Sequence, residues 1–120
     1  MRVTSPGTGK FRIRHIDYPE HEQDITYFFG LKERLQVMYP LQFAKLLGKV
    51  DLDCLVYEGG CASQAGAIRY ATAICLKSFV DKETMEEMTL SGLLTQDIRV
   101  GERKKPGKKK ARRSFTWLKR

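Results

Sequence analysis

The amino-acid sequence predicts an α+β fold, and three observations carry that prediction. Short apolar runs bounded by turn residues lie at 11–15 and 52–57. Apolar residues recur at helical spacing across 31–47 and 63–80. Apolar patterning stops after Asp97, apart from Phe115, Trp117 and Leu118. With 120 residues, 42% of them hydrophobic, the chain can build one modest core. No apolar run approaches the roughly 18 residues that a membrane span needs.

The elements follow in order. Residues 4–10, TSPGTGK, read as a turn, because Pro6-Gly7 is followed by Gly9. FRIRH at 11–15 alternates apolar and basic residues, the pattern of a strand with one wet face. Residues 16–23 are polar and contain Pro19, so they read as a loop. A short helix is expected from an Asp24 N-cap to Gly30, with Ile25, Phe28 and Phe29 inward. Leu31, Leu35 and Met38 mark a second helix, broken or restarted at Pro40, continued by Phe43, Leu46 and Leu47, and ended at Gly48. LDCLVY at 52–57 reads as a buried strand. Ser63 caps a helix over 63–80 whose core face is Ile68, Ala71, Cys75 and Phe79, widened by Ala67, Ile74 and Val80. A last helix over 83–91 stops at Gly92.

Charge divides the chain into a body, 1–98, and a tail, 99–120. The tail holds eleven basic residues against the single acid Glu102, whereas the body holds eleven against thirteen. A block of +10 on a body of −2 repels itself, cannot form a core and calls for a polyanion. Gly101, Pro106 and Gly107 interrupt the block, so it is expected to stay extended. Arg103, Arg112 and Arg113 offer planar forks to phosphates, and Phe115 and Trp117 are placed to stack on bases or to insert between RNA and protein. A lipid surface would favour an amphipathic helix, which Pro106 and the glycines oppose, so no membrane partner is expected.

Other constellations are weaker. Gly59-Gly60 joins a strand to a helix, where backbone amides can approach a phosphate, or where glycine merely makes a tight turn. Neither G-x-x-x-x-G-K-[ST] nor G-x-G-x-x-G is present. His15, Asp17, Glu20, His21 and Glu22 lack metal-site spacing and read as a solvated loop. Cys54, Cys61 and Cys75 are odd in number and read as small buried hydrophobes in a reducing compartment. No nucleophile sits in an activating context, so no enzyme, metal or cofactor is expected.

Three stretches then acquire a joint meaning. SQAGAIR at 63–69, GLLTQDIR at 92–99 and ERKKPGKKKARR at 102–113, closed by Lys119-Arg120, resemble the family of ribosomal protein nine of the small subunit. PGTGKFRI resembles that family's hairpin turn. The resemblance implies the fold of the second domain of ribosomal protein five, with a left-handed βαβ crossover. It implies a structural protein in the head of the small subunit, bound to small-subunit rRNA beside neighbouring head proteins. The implied rRNA-binding residues are Gln64, Arg69, Arg99, Arg103, Lys104, Lys105, Lys108, Lys109, Lys110, Arg112 and Arg113. Lys119 and Arg120 are expected to reach the anticodon stem-loop of the P-site tRNA.

The departures are informative. The chain begins at the hairpin turn, so the family's first strand is expected to be missing. Glu58 stands where the first of three glycines is common, Ile74 where Lys or Arg is common, and Leu118 where serine is common. The FTWLKR ending and the reduced helix charge resemble the animal mitochondrial branch, which places the chain in the mitochondrial ribosome, with the bacterial cytoplasm as the alternative. Two rival functions are a nonspecific nucleic-acid-binding basic protein and a nucleotide-dependent enzyme using the Gly59-Gly60 turn.

Overall fold

In the computed structural model, which describes residues 1–118, the chain forms Arg2–Thr4 (β1), Phe11–His15 (β2), Tyr18–Gln23 (β3), a 3-10 turn at Ile25–Tyr27, Leu31–Phe43 (α1), Asp51–Val56 (β4), Cys61–Leu76 (α2) and Lys82–Leu90 (α3). The sheet order is β1-β4-β2-β3. β4 pairs antiparallel with β1 and parallel with β2, with Val3 and Phe11 both opposite Leu52. Alternation along the strands sends Ile13, Leu52, Cys54 and Val56 into the core and leaves Arg12, Arg14, Asp53 and Leu55 on the open face. α1 and α2 pack together and close the core with Val37, Leu41, Ala65, Ile68, Ala73 and Leu76. Each large aliphatic or aromatic side chain buried there is worth roughly 1.5–3 kcal/mol of hydrophobic stabilisation.

The turn at 5–10 is not a hairpin, because β4 lies between β1 and β2. The segment instead arches over the start of β4. The Asp51 carboxylate accepts from the backbone N–H groups of Thr8 (2.7 Å) and Lys10 (2.9 Å) and from the Thr8 hydroxyl. These bonds, led by the Lys10 amide, hold the Asp51 carboxyl below its ordinary pKa. Gly7 is required here by close approach, since a Cβ would lie 2.4 Å from the Asp51 nitrogen.

Several expectations are corrected. An N-terminal strand is present as the three residues of β1. Residues 18–23 are a strand, not a loop; β3 is an edge strand, where Pro19 is tolerated and no apolar alternation is demanded. The segment after Asp24 is a single 3-10 turn that buries Phe28 completely and leaves Phe29 97% exposed. Pro40 neither breaks nor restarts α1: its ring is buried in the core, which offsets the hydrogen bond it cannot donate.

The stripe Leu31, Leu35 points to solvent, because the core takes Val37, Pro40 and Leu41 from another face of α1. Helix ends also differ. α1 stops at Phe43, with Lys45 in the left-handed region and the Leu46 N–H donating to the Leu41 carbonyl, well before Gly48. α3 ends in the same geometry at Gly92, as expected. α2 stops at Leu76 rather than Val80, leaving Phe79 exposed, and its buried face is Gln64, Ala65, Ile68, Thr72, Ala73 and Leu76. Of the cysteines, Cys54 is buried, with its thiol pushed up to about 11 by desolvation, but Cys61 is exposed.

Among the described residues, core packing stops at Leu93 and Leu94. The radius of gyration is 18.9 Å, against about 14 Å for a compact chain of this length, because the exposed segment after Leu94 projects outward. No helix among the described residues is long and apolar enough to cross a membrane.

Candidate nucleic-acid interface

The strand-to-helix junction is built by backbone conformation. Glu58 and Gly59 both lie in the left-handed region, at φ 52° and 73°. Gly60 is extended and serves as the N-cap of α2, where Ser63 was expected to. The Ser63 hydroxyl donates back to the Gly60 carbonyl (2.8 Å). The glycine that needs its freedom is therefore Gly59, whose Cβ would also fall 2.7 Å from the Ser63 hydroxyl oxygen. Glu58 adopts a conformation that glycine takes more cheaply and places a carboxylate beside the turn.

Gln64 does not project outward as expected. It is only 8% exposed, its amide donates to the Glu58 carbonyl (3.0 Å), and its carbonyl oxygen accepts from the Tyr27 hydroxyl (2.9 Å). It ties the turn to the 3-10 segment, with each end of the amide making one hydrogen bond to protein. Between β4 and α2 lies a groove of about 470 Å³ lined by Met1, Leu55, Tyr57, Glu58, Ala67 and Ala71. Its walls are mainly apolar, and the charged side chain in its lining is an acid.

Arg69 stands one turn beyond Gly66, which faces Gln36 of α1. Its Nε is buried and has no hydrogen-bond partner among the described residues. The Nε of Arg14 is in the same state although that guanidinium pairs with Asp53, so an unpartnered Nε does not by itself mark an anion site. Ile74 is exposed on the same helix.

The projecting segment has its own small architecture. The Arg99 guanidinium pairs with Asp97 (2.6 Å) and holds that carboxyl below its ordinary pKa. Glu102 accepts from Arg112 (2.7 Å) and Lys105 (3.1 Å), with its pKa lowered chiefly by Arg112 and then by Lys105. The chain turns at Pro106-Gly107, with Gly107 at φ 73°. The Lys109 N–H donates to the Arg113 carbonyl (2.7 Å), and the Lys108 ammonium donates to the Ser114 hydroxyl (2.7 Å). Residues 102–114 thus fold back on themselves around one carboxylate rather than running fully extended.

Arg103, Lys104, Lys109, Lys110 and Arg113 are exposed and make no ion pair among the described residues. Beyond them the Phe115 and Trp117 rings stack on each other, centroids 4.5 Å apart and planes 19° apart. Lys119 and Arg120 lie outside the described residues.

The open sheet face adds further arginines. Arg2 and Arg12 stand opposite Asp53 in register, and Arg14 makes the ion pair with it at 2.6 Å. Glu22 pairs with Arg12 (3.4 Å). The alternation in FRIRH was the available signal, but it says nothing about which acids lie across the sheet.

Comparison with known proteins places the chain in a family. The model of the family described as ribosomal protein S9/S16 matches residues 2–120. The small ribosomal subunit protein uS9m of Bos taurus is 48% identical over 118 residues, which is 98% of this chain and 28% of the relative. Its Mus musculus counterpart is 46% identical over 118 residues, covering 98% and 29%. The Arabidopsis thaliana protein of that name is 42% identical over 115 residues, covering 96% and 25%. The chain thus spans under a third of the length of these relatives.

Proposed function

The chain belongs to the ribosomal protein S9/S16 family, and from that premise we propose that it is a structural, non-enzymatic constituent of the small subunit of the mitochondrial ribosome. Its task is to bind small-subunit rRNA in the head of the subunit beside neighbouring proteins. The observation that carries this reading is the segment 99–118. Its cations far outnumber its acid, most are exposed, and none takes part in the apolar core. Phosphate contacts of this kind position a protein on RNA without reading sequence.

Residues 1–98 act as the body and 99–120 as the binding tail. Arg99, Arg103, Lys104, Lys105, Lys108, Lys109, Lys110, Arg112 and Arg113 neutralise phosphates. Arg69 contributes from α2. Gln64 supports the interface by holding the Glu58-Gly59 turn rather than by touching RNA. Parallel β2 and β4 are joined through β3 and α1, and to this crossover we assign the left-handed sense that the family resemblance implies. Lys119 and Arg120 reach the P-site tRNA.

Lys105 and Arg112 are held by Glu102 in the free chain, so RNA phosphates replace that carboxylate on binding. The exposed apolar side chains Phe29, Leu31, Leu35 and Tyr39 along and ahead of α1 suit a protein neighbour rather than RNA.

The test is sedimentation with mitochondrial small subunits through a high-salt sucrose gradient. Cosedimentation in stoichiometric amount is expected. Protein remaining at the top, while still binding arbitrary RNA at low salt, would establish a nonspecific polyanion binder instead.

A further inference from the structure

We propose that Phe115 and Trp117 form a stacking platform for one unpaired nucleobase, with Trp117 as the receiving face and Phe115 as its support. The inference rests on the RNA-binding reading above and adds a site for a base to what was a set of phosphate contacts. The two rings are separated by one residue, Thr116, and lie nearly parallel at 4.5 Å. One face of the indole is therefore already covered. Phe115 is half-buried while Trp117 is 76% exposed, so the partner ring is the anchored one and the indole is the one turned toward solvent.

An aromatic ring covered on one face and open on the other is preorganised for a third layer. A base adds its π-face without any rearrangement of the pair and removes apolar surface from water on both sides. The surroundings select the ligand. Lys110, Arg112 and Arg113 immediately precede the pair, so a polyanion is drawn to it. Stacking reads only a flat π-face, which a base within a duplex has already given to its neighbours. The occupant is thus a base in a single-stranded or splayed-out stretch of RNA.

The molecule supplies its own probe, because Trp117 is the single tryptophan. The experiment titrates the full chain with single-stranded oligoadenylate, with an abasic strand of the same length and phosphate count, and with a duplex of matching length, following intrinsic fluorescence. The expected result is strong quenching by oligoadenylate and little by the abasic strand or the duplex. By fluorescence anisotropy of end-labelled strands, which does not depend on the tryptophan, Trp117→Ala should weaken binding to oligoadenylate roughly 5- to 100-fold, the range of one stacked base, and leave binding to the abasic strand unchanged. Trp117→Phe should restore most of the loss, and Phe115→Ala should fall between.

Equal affinity and equal quenching for abasic and base-bearing strands would overturn the platform while leaving the phosphate-binding reading intact. Failure to bind any strand would overturn both. A blue shift on phosphatidylserine vesicles, with no response to RNA, would show that the ring pair is a lipid anchor.

Discussion

Residues up to Leu94 and residues beyond Asp97 are held by different forces. In the first region Phe28, Val37, Ala65 and Leu76 are completely buried, and the backbone of the turn at 5–10 is clipped to Asp51. In the second, order comes from the carboxylate of Glu102, a turn at Pro106-Gly107 and two stacked rings. The first arrangement is proof against salt, because apolar burial is not screened. The second is exposed charge, which salt weakens and phosphate can replace. The same chain therefore contains one region held by apolar packing and another held by exposed ion pairs, a turn and a ring pair.

The largest expected effect separates the two regions by salt. If about eight tail cations neutralise phosphates, log K for RNA should fall with log salt at a slope of roughly −6 to −7, a loss on the order of 10³–10⁵ between 50 and 200 mM. Removing residues 99–120 should flatten the slope and leave thermal unfolding of the body nearly unchanged. A filter-binding salt series before and after truncation checks this, and an unchanged slope would make the tail a bystander.

The converse disruption is Phe28→Ala. Emptying a fully buried aromatic site should cost about 3–5 kcal/mol of stability, measured by urea unfolding, while leaving the RNA salt slope of the still-folded fraction as it was. A change in slope would mean that body and tail are coupled.

The strand-to-helix turn allows a finer distinction. Gly59→Val, at φ 73°, should lose about 1–3 kcal/mol. Gly60→Val, at an ordinary φ with open space, should lose under about 1 kcal/mol, the value of a poorer N-cap. Glu58→Gly should be neutral or gain up to about 1 kcal/mol, because relief of the left-handed conformation exceeds the added chain entropy. Equal losses at Gly59 and Gly60 would place the strain elsewhere.

The smallest effect concerns Glu102. Its lowered pKa means the clamp is fully present above the ordinary glutamate range near pH 4.3 and is lost as pH falls through the lowered value. The side-chain Nε–H signal of Arg112 should move over that acid interval, and Glu102→Gln should abolish the transition and raise RNA affinity a few-fold. A pH-independent Arg112 signal in the parent chain would mean that the carboxylate does not hold the tail.

Charge was the most legible feature of the sequence. The imbalance of 99–120 survives any folding, because no arrangement of one acid can neutralise eleven bases, and the expectation of a polyanion partner follows from counting. The strand at 52–57, the α3 stop at Gly92 and the α+β class were legible too, since each depends on local pattern or on glycine in a conformation it adopts cheaply. What tertiary structure alone decided lies where several faces or conformations were locally acceptable. α1 carries apolar residues on more than one face, and only packing against α2 and the sheet selected Val37, Pro40 and Leu41 over Leu31 and Leu35. β3 has no strand pattern and exists because β2 offers it an unpaired edge. Lys45 and Glu58 occupy left-handed positions that sequence assigns to glycine, a cost repaid by contacts formed only in the folded chain. Gln64, polar and expected outside, is inside because the carbonyl of nearby Glu58 and the hydroxyl of Tyr27, distant in sequence, meet it there. Local pattern specifies an element when one outcome is cheaper by itself; where two are nearly equal, a long-range contact worth about a kcal/mol makes the choice.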